Sequence, residues 1–341
     1  MLKIVFRVDG GSEIGMGHVM RCLALANSFS KNINVSFIIK FQEKVINLLE
    51  ERGYKIKILN STICYKKEIK EVKNIMKSEK VDILITDAYH IDQNYLSEVK
   101  KNVKKLVSIS LTDSFAYPSD IVVDGEIYAT KLNYQSVDSS SVFLLGTDYV
   151  LLREEFQNLP KREIDENIDV IMVTVGGGDP LNLTPKIVQA LEKIKKYNFK
   201  VKIVIGPAFN NLTEILKKVT KTNLEISLYF NTKKMSQLML KSDLAISAGG
   251  STLYELAATG TPAVVVLQSK DQLLGAKCLE KEETIINLGF GDKIENRKLI
   301  KTVLNLIDDF EKRKKMSQMG QRLVDGKGVL RVKKKILKNS Y

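Results

Sequence analysis

The sequence has little cysteine and no long apolar run. Its three cysteines, Cys22, Cys64 and Cys278, are far apart among 341 residues, odd in number, and form no CxxC pair. That excludes a zinc ribbon or a disulfide framework and suits a reducing compartment. No apolar stretch approaches the roughly 20 residues that span a bilayer. No signal-peptide core precedes the strand that starts at residue 3. A cytoplasmic protein is therefore expected. Self-similarity of the solenoid kind is absent too.

Charge is present in excess: 53 Lys and Arg stand against 40 Asp and Glu, a net of +13. Most of it is local. Residues 312–341 hold 11 Lys or Arg and one acid, Asp325, for +10, and residues 1–311 carry only +3. This is not a basic groove through the body, and the tail's single aromatic, Tyr341, provides no base-stacking platform. Nucleic acid is not an expected partner. The basic C-terminal tail reads first as a solvated Lys-rich face, and second as a weak contact with an anionic membrane surface.

Short β-branched runs alternate with amphipathic stretches. KIVFRV (3–8), VSFIIK (35–40), KIKIL (55–59), VDILITD (81–87), KLVSIS (105–110) and DIVVDG (120–125) read as strands, with a helix at 18–29. A polar, mixed-charge segment at 151–168 breaks the rhythm. It resumes with DVIMVTV (169–175), KVKIVIG (200–206), EISLY (225–229), DLAIS (243–247) and AVVVL (263–267), and helices near 184–197, 233–241, 252–259 and from 273. The βαβ rhythm predicts two α/β halves: a domain at 1–150, a linker at 151–168 and a second domain at 169–341. Helices from about 299 have no strand to cover and are expected to pack back across both halves. Ligands of open α/β sheets sit beyond the carboxyl ends of the strands, so the loops there carry the functional reading.

The first such loop is DGGSEIGMGH. It has the Gly10–Gly15 spacing of a P-loop, but Met16 replaces the lysine. Gly15 and Gly17 begin a dinucleotide fingerprint that Met20 breaks. Neither ATP hydrolysis nor NAD chemistry is supported. His18 opens the following helix, where the dipole favours a neutral imidazole suited to a general base; a packed or capping histidine fits the same position. His18 and Cys22, four apart, are half of a metal site with no second half, so no metal is expected and Cys22 reads as a small core residue. TDAYHID (86–92) offers Asp87 and Tyr89 at a strand end, or an ordinary turn; His90 reads as a surface histidine.

VGGGDP (175–180), with Gly177, is a second turn of this kind. SAGGSTLYELAATGTP (247–262) places Ser251 and Thr252 at a helix start, with Glu255 one turn in. Hydroxyls and free N–H groups there suit a pyrophosphate, and the carboxylate suits a ribose diol; a capping box accounts for the same residues. The Asp-x-Asp clamp of metal-dependent sugar-nucleotide enzymes is missing, so helix dipoles and hydroxyls are left to neutralise a diphosphate.

RVDGGSEIGMGHVMRCLALA, DAY (87–89), GTDYVLLREEF (146–156), VTVGGGDP (173–180), VIGPAFN (204–210), DLAISAGGSTLYELAATGTP (243–262) and LVDGKGVLRV (323–332) together resemble the PseG-type UDP-sugar hydrolases of pseudaminic acid biosynthesis and the SpsG-like polysaccharide biosynthesis proteins. The resemblance covers nearly the whole chain in order. It implies an α/β GT-B fold of two Rossmann-like domains with a cleft between them. It also implies metal-independent, cofactor-free, inverting hydrolysis of a UDP-linked 2,4-diacetamido-trideoxy sugar, with His18 activating the water. The implied substrate-binding set is Asp9, Gly15, Gly17, Arg21, Asp87, Tyr89, Gly177, Gly250, Ser251, Thr252, Glu255 and Gln272. The sequence departs from the family at Asp271, where Asn is usual, and at Gly10–Gly11, which replace a small Ala-Ser-like pair. Two other readings stay open: a glycosyltransferase on the same fold, and a non-catalytic nucleotide-sugar-binding assembly protein.

Overall fold

The computed structural model describes residues 1–11, 15–109 and 112–338. The middle of the DGGSEIGMGH loop, the last residue of the expected KLVSIS strand and Tyr341 lie outside the described residues. The chain folds as two compact units.

The first unit is built from β1 (Lys3–Val8), α1 (Gly17–Ser28), β2 (Asn34–Lys40), α2 (Glu43–Glu50), β3 (Lys55–Leu59), α3 (Tyr65–Glu79), β4 (Ile83–Asp87), α4 (Gln93–Lys100), β5 (Lys105–Ile109), β6 (Ala116–Tyr117), β7 (Ile121–Asp124), β8 (Gln135–Ser136) and β9 (Val142–Leu145). Seven strands form one parallel sheet in the order β3-β2-β1-β4-β5-β7-β9, with β6 and β8 paired apart. Val and Ile dominate the central strands because both faces are covered, as parallel sheets require. Phe6, Phe37, Ile85 and Val107 pack beneath α1 and α2, while Leu84, Leu106 and Val122 pack against Val72, Met76, Tyr95 and Val99 of α3 and α4.

The second unit comprises β10 (Val170–Thr174), α5 (Leu183–Leu191), β11 (Lys200–Ile205), α6 (Leu212–Lys221), β12 (Ile226–Phe230), α7 (Met235–Leu240), β13 (Leu244–Ser247), α8 (Thr252–Thr259), β14 (Ala263–Leu267), α9 (Gln272–Lys281), β15 (Ile285–Phe290), α10 (Asn296–Asp308) and α11 (Phe310–Leu323). Its six parallel strands run β12-β11-β10-β13-β14-β15, the doubly wound order in which the chain reverses direction beside its first strand. Ile187, Val188, Leu191, Leu299 and Val303 of α5 and α10 cover one face.

Two boundaries differ from the sequence reading. Residues 155–168, expected as linker, fold with the second unit. Arg162 donates to the Met239 carbonyl (3.1 Å), the Ser242 carbonyl and Thr261 Oγ1 (3.0 Å). Arg313, fully buried, donates to the carbonyls of Leu306 (2.7 Å) and Ile307 (2.8 Å) at the end of α10. It also holds those of Asp165 (2.8 Å) and Glu166 (2.6 Å) in the strap. The two terminal nitrogens of Arg313 are thus held by four carbonyls, two of them at a helix C-terminus where the dipole favours a cation.

The second difference is at the C-terminal end. The helix α12 (Gly328–Leu337) belongs to the first unit, whereas α10 and α11 stay in the second. Val329, Val332 and Ile336 sit in the core cluster beside α1. Part of the basic tail is used internally: Lys333 Nζ donates to the Ser28 carbonyl that ends α1 (2.5 Å), and Arg331 donates to the Asp148 carbonyl (3.0 Å). No helix among the described residues is long and apolar enough to cross a membrane.

Candidate functional site

Each sheet reverses its winding between its first and fourth strands, and the loops there leave in opposite directions and open a crevice. In the first unit that point lies between β1 and β4, where Val8 pairs with Asp87. In the second it lies between β10 and β13, where Thr174 pairs with Ser247. The candidate residues flank these two points.

After β1 the chain turns through Gly11, whose amide bonds the Gly15 carbonyl (3.0 Å), and Gly15 adopts φ +78°, a left-handed conformation that suits glycine. Gly17 and His18 then start α1. Three residues on, the same helix face carries Arg21, and both reach the last residue of β4. His18 Nδ1 is 2.5 Å from Asp87 Oδ1; Arg21 Nη2 donates to that oxygen at 2.5 Å and Arg21 Nε donates to Oδ2 at 2.6 Å. Asp87 is 1% exposed and His18 6%. Burial opposes the Asp87 charge, but the charge and hydrogen bonds of Arg21, with those of His18, hold its carboxyl below the usual carboxylate range.

An ionised carboxylate only accepts. Nδ1 of His18 must therefore carry the proton, which leaves the lone pair of the neutral ring on Nε2. Arg21 Nη2 also lies 2.8 Å from Nδ1, but two donors cannot bond each other; they converge because they share Asp87 Oδ1. The result is an aspartate-oriented histidine, the arrangement that fixes a general base. Tyr89, 66% exposed, stands edge-on to the imidazole with ring centroids 4.5 Å apart. Cys22 Sγ is 3.5 Å from Asp87 Oδ2, and burial, then the Asp87 charge, push its thiol well above the ordinary range. A thiol so placed is inert. Among the described residues, no cluster of three or more His, Cys, Asp or Glu is arranged to hold a metal ion.

Asp9 is not in this cluster. Arg7, fully buried, takes both its oxygens at 2.6 and 2.9 Å, and also donates to Glu68 Oε1 at 2.7 Å. His90 differs from its sequence reading as well. It is half-buried, with Nε2 2.9 Å from Glu68 Oε1 and Nδ1 3.5 Å from Asp9 Oδ2.

Another residue absent from the sequence reading is Asp124, fully buried at the carboxyl end of β7. It accepts from Tyr134 OH (2.6 Å) and the Glu126 amide (2.9 Å). Burial pushes its carboxyl up to about 6, with the Glu126 charge adding and Arg21 opposing. An acid closing a β-branched run, as in DIVVDG, was the available sequence signal.

In the second unit the two helix starts differ. Asp179 of the GGGDP turn accepts from the amides of Leu183 (2.6 Å) and Thr184 (2.8 Å), so α5 supplies its own anion. Ser251, the N-cap of α8, makes no side-chain capping bond. Glu255 is then the fourth helical residue, one beyond the capping-box spacing. Ser251 is exposed, and Thr252 and Glu255 are half-buried. A side chain added at Gly250 or Gly177 would meet nothing within 4 Å.

Gln272 acts as a brace. Its Oε1 accepts from the amides of Gly249 (3.0 Å) and Gln268 (2.9 Å), joining the loops after β13 and β14. Gln268 in turn donates to the Val175 carbonyl after β10 (2.6 Å). A Cβ at Gly249 would lie 2.5 Å from Leu267 Cδ2 and 2.8 Å from Gln272 Cβ, so only glycine fits the brace.

The family description "Glycosyltransferase family 28 C-terminal domain" matches residues 170–330. The chain is 31% identical over 258 residues to the UDP-2,4-diacetamido-2,4,6-trideoxy-beta-L-altropyranose hydrolase of Campylobacter jejuni, covering 74% of this chain and 87% of that protein. It is 28% identical over 331 residues to the spore coat polysaccharide biosynthesis protein SpsG of Bacillus subtilis, covering 95% and 94%. An uncharacterized protein of Methanocaldococcus jannaschii is 33% identical over 284 residues, 80% of this chain, which spans only 57% of that protein's length. In fold, the crystal structure of Acinetobacter baumannii MurG is similar with a TM-score of 0.75 at 14% identity, over 99% of this chain and 100% of that one. The fold is thus GT-B, with two Rossmann-like domains, and the chain belongs to the PseG/SpsG-like family.

Proposed function

We propose that the protein is an enzyme of surface-sugar biosynthesis that hydrolyses a UDP-linked 2,4-diacetamido-trideoxy sugar to free sugar and UDP, without metal, on the route to a pseudaminic-type nonulosonic acid. The observation that carries the reading is the buried Asp87–His18 pair at the β1/β4 switch point, which leaves Nε2 as a base. In the proposed step, Nε2 takes a proton from water and the water oxygen bonds the anomeric carbon. The bond from that carbon to the UDP oxygen breaks on the opposite face, and its electron pair leaves on UDP. One base is enough because a diphosphate leaves without protonation.

The nucleotide is assigned to the second unit. There the uncapped start of α8, with Ser251 and Thr252, suits a pyrophosphate, and Glu255 suits a ribose diol. Gly177 and Gly250 leave room for a ligand, and Gln272 braces the loops. In the first unit, Arg21, Asp87 and Tyr89 surround the base, Gly15 and Gly17 shape its loop, and Asp9 anchors that loop to Arg7. Weak contact of the remaining tail lysines with an anionic membrane surface is a secondary proposal, checked by salt-sensitive binding to phosphatidylserine vesicles.

The match to a glycosyltransferase C-terminal domain favours a second reading, in which a sugar or lipid hydroxyl replaces water. Release of UDP from the UDP-sugar with neither metal nor acceptor supports the hydrolase. Release only when an acceptor is supplied supports the transferase.

A further inference from the structure

We propose that His90 is a positioning residue of this site: hydrogen-bonded to the buried carboxylate of Glu68, it holds the turn that bears Tyr89 beside His18. The inference rests on the site reading above. A charge network spans three strand ends beside it.

The network is centred on Glu68, a carboxylate with no exposure on the inner face of α3. Arg7 at the end of β1 donates to Oε1 through Nε (3.0 Å) and Nη2 (2.7 Å), Tyr95 OH of α4 donates to it (3.1 Å), and Lys40 Nζ at the end of β2 lies 3.1 Å from Oε2. These groups are fixed by their elements. Two cations, Arg7 and Lys40, balance two anions, Glu68 and Asp9, so the cluster does not need His90 for neutrality. His90 adds geometry: Nε2 at 2.9 Å from Glu68 Oε1, Nδ1 at 3.5 Å from Asp9 Oδ2, and its ring edge-on to Tyr95 with centroids 6.0 Å apart.

The placement matters because of what lies on either side. Asp9 is the first residue of the loop that leads to His18. His90 lies in the short turn between β4 and α4, closed by the Ile91 amide on the Ala88 carbonyl (3.2 Å), and that turn also bears Tyr89. Asp87 precedes it in the strand. Glu68 thus links, through Arg7 and Asp9, the loop that delivers the base and, through His90, the turn that delivers the base's neighbour. Tyr89, 66% exposed, stands edge-on to His18 from that turn, so the turn's backbone sets where its ring starts.

The test uses a property of the chain: it contains no tryptophan. Tyr89→Trp installs a single indole beside His18, and a protonated imidazole in contact quenches indole emission whereas a neutral one does not. At one fixed pH, full-length Tyr89→Trp should differ in emission from the same variant carrying His18→Gln. Adding His90→Ala should reduce that difference at least severalfold and lower the fluorescence anisotropy. Adding His90→Gln, whose Nε2 can replace the donor to Glu68, should restore both, with a thermal midpoint matched between the two variants.

Without the fluorescent substitution, His90→Ala should lower kcat/KM for UDP-sugar hydrolysis about tenfold to a hundredfold, the cost of a misplaced group. Its dissociation constant for UDP should stay unchanged. Emission that ignores His18, or identical quenching and anisotropy with and without His90, overturns the proposal. If the wild-type protein hydrolyses no UDP-sugar, the functional reading fails while the fluorescence comparison still decides the role of His90.

Discussion

Replacing Asp87 by Asn keeps the shape of the side chain and removes its charge. In the native structure Oδ1 serves both His18 Nδ1 and Arg21 Nη2 at 2.5 Å, and Oδ2 serves Arg21 Nε at 2.6 Å. An amide has one oxygen for these three donors. If its oxygen stays with Arg21 Nε, its NH2 faces His18 Nδ1 and forces the imidazole proton onto Nε2, which abolishes the base. If it flips, NH2 faces Arg21 Nε and a guanidinium donor loses its partner. The first outcome costs turnover by roughly the general-base contribution, about 10²–10⁴-fold.

The stability cost follows from the ion pair. Removing one partner of a buried pair costs about 3–5 kcal/mol. The Arg21 side chain is 21% exposed and keeps some hydration, so about 2–4 kcal/mol is expected. Because the Asp87 carboxyl titrates below its ordinary value in the folded protein, its contribution is fully present above an unfolded pKa of about 3.9 and is lost as pH falls through the folded value. Denaturant unfolding of wild type and Asp87→Asn should therefore differ above about pH 4 and converge as pH falls below it. Near-wild-type turnover together with undiminished stability in Asp87→Asn, or a stability difference that grows as pH falls below about 4, contradicts this assignment.

Asp124 has the opposite sign. Its carboxyl is pushed up to about 6 in the folded protein, so ionising it opposes folding as pH rises from about 4 to 6, by about 3 kcal/mol at ~1.4 kcal/mol per pH unit. Asp124→Asn should raise the urea midpoint at pH 7.5 and leave it nearly unchanged below about pH 3.5. Gly249→Ala should destabilise the second unit by about 1–3 kcal/mol through overpacking, whereas Gly250→Asp, at an open position, should keep the melting midpoint and weaken UDP binding in calorimetry. Arg313→Met leaves four carbonyls without their donor, at about 1–3 kcal/mol for each that stays buried. Limited proteolysis should then cut within residues 155–168 faster than in wild type.

The central strands were readable because burial on both faces writes them as unbroken Val/Ile runs, and the loops after them held the candidate residues. β9 and β15 were not foreseen. VFLL is a run of only four residues behind a serine-rich stretch, and IINLGF is broken by Asn287 and Gly289, so neither stood out from the neighbouring loops. The polar segment at 155–168 read as linker because guanidinium–carbonyl clamps leave no local pattern: Arg162 reaches residues 77 to 99 positions away. His90 was misread for the same reason, since its partners Glu68 and Asp9 come from other elements. The His18–Asp87 pairing was anticipated only as two separate candidates. A turn-to-strand contact 69 residues apart has no local signature, and the parallel pairing of β1 with β4 brings the two together. At α8, sequence left a capping box and a ligand site equally open, and the structure shows no Ser251 side-chain capping bond.

The most direct measurement of the central claim is UDP release from the UDP-linked diacetamido-trideoxy sugar by full-length protein in chelator, with no acceptor, compared with His18→Ala and paired with UDP titration calorimetry. Wild type should turn over, His18→Ala should lose about 10²-fold or more, and both should bind UDP with equal affinity. Undiminished turnover in His18→Ala, or release by wild type only when an acceptor or a divalent metal is added, would contradict that claim.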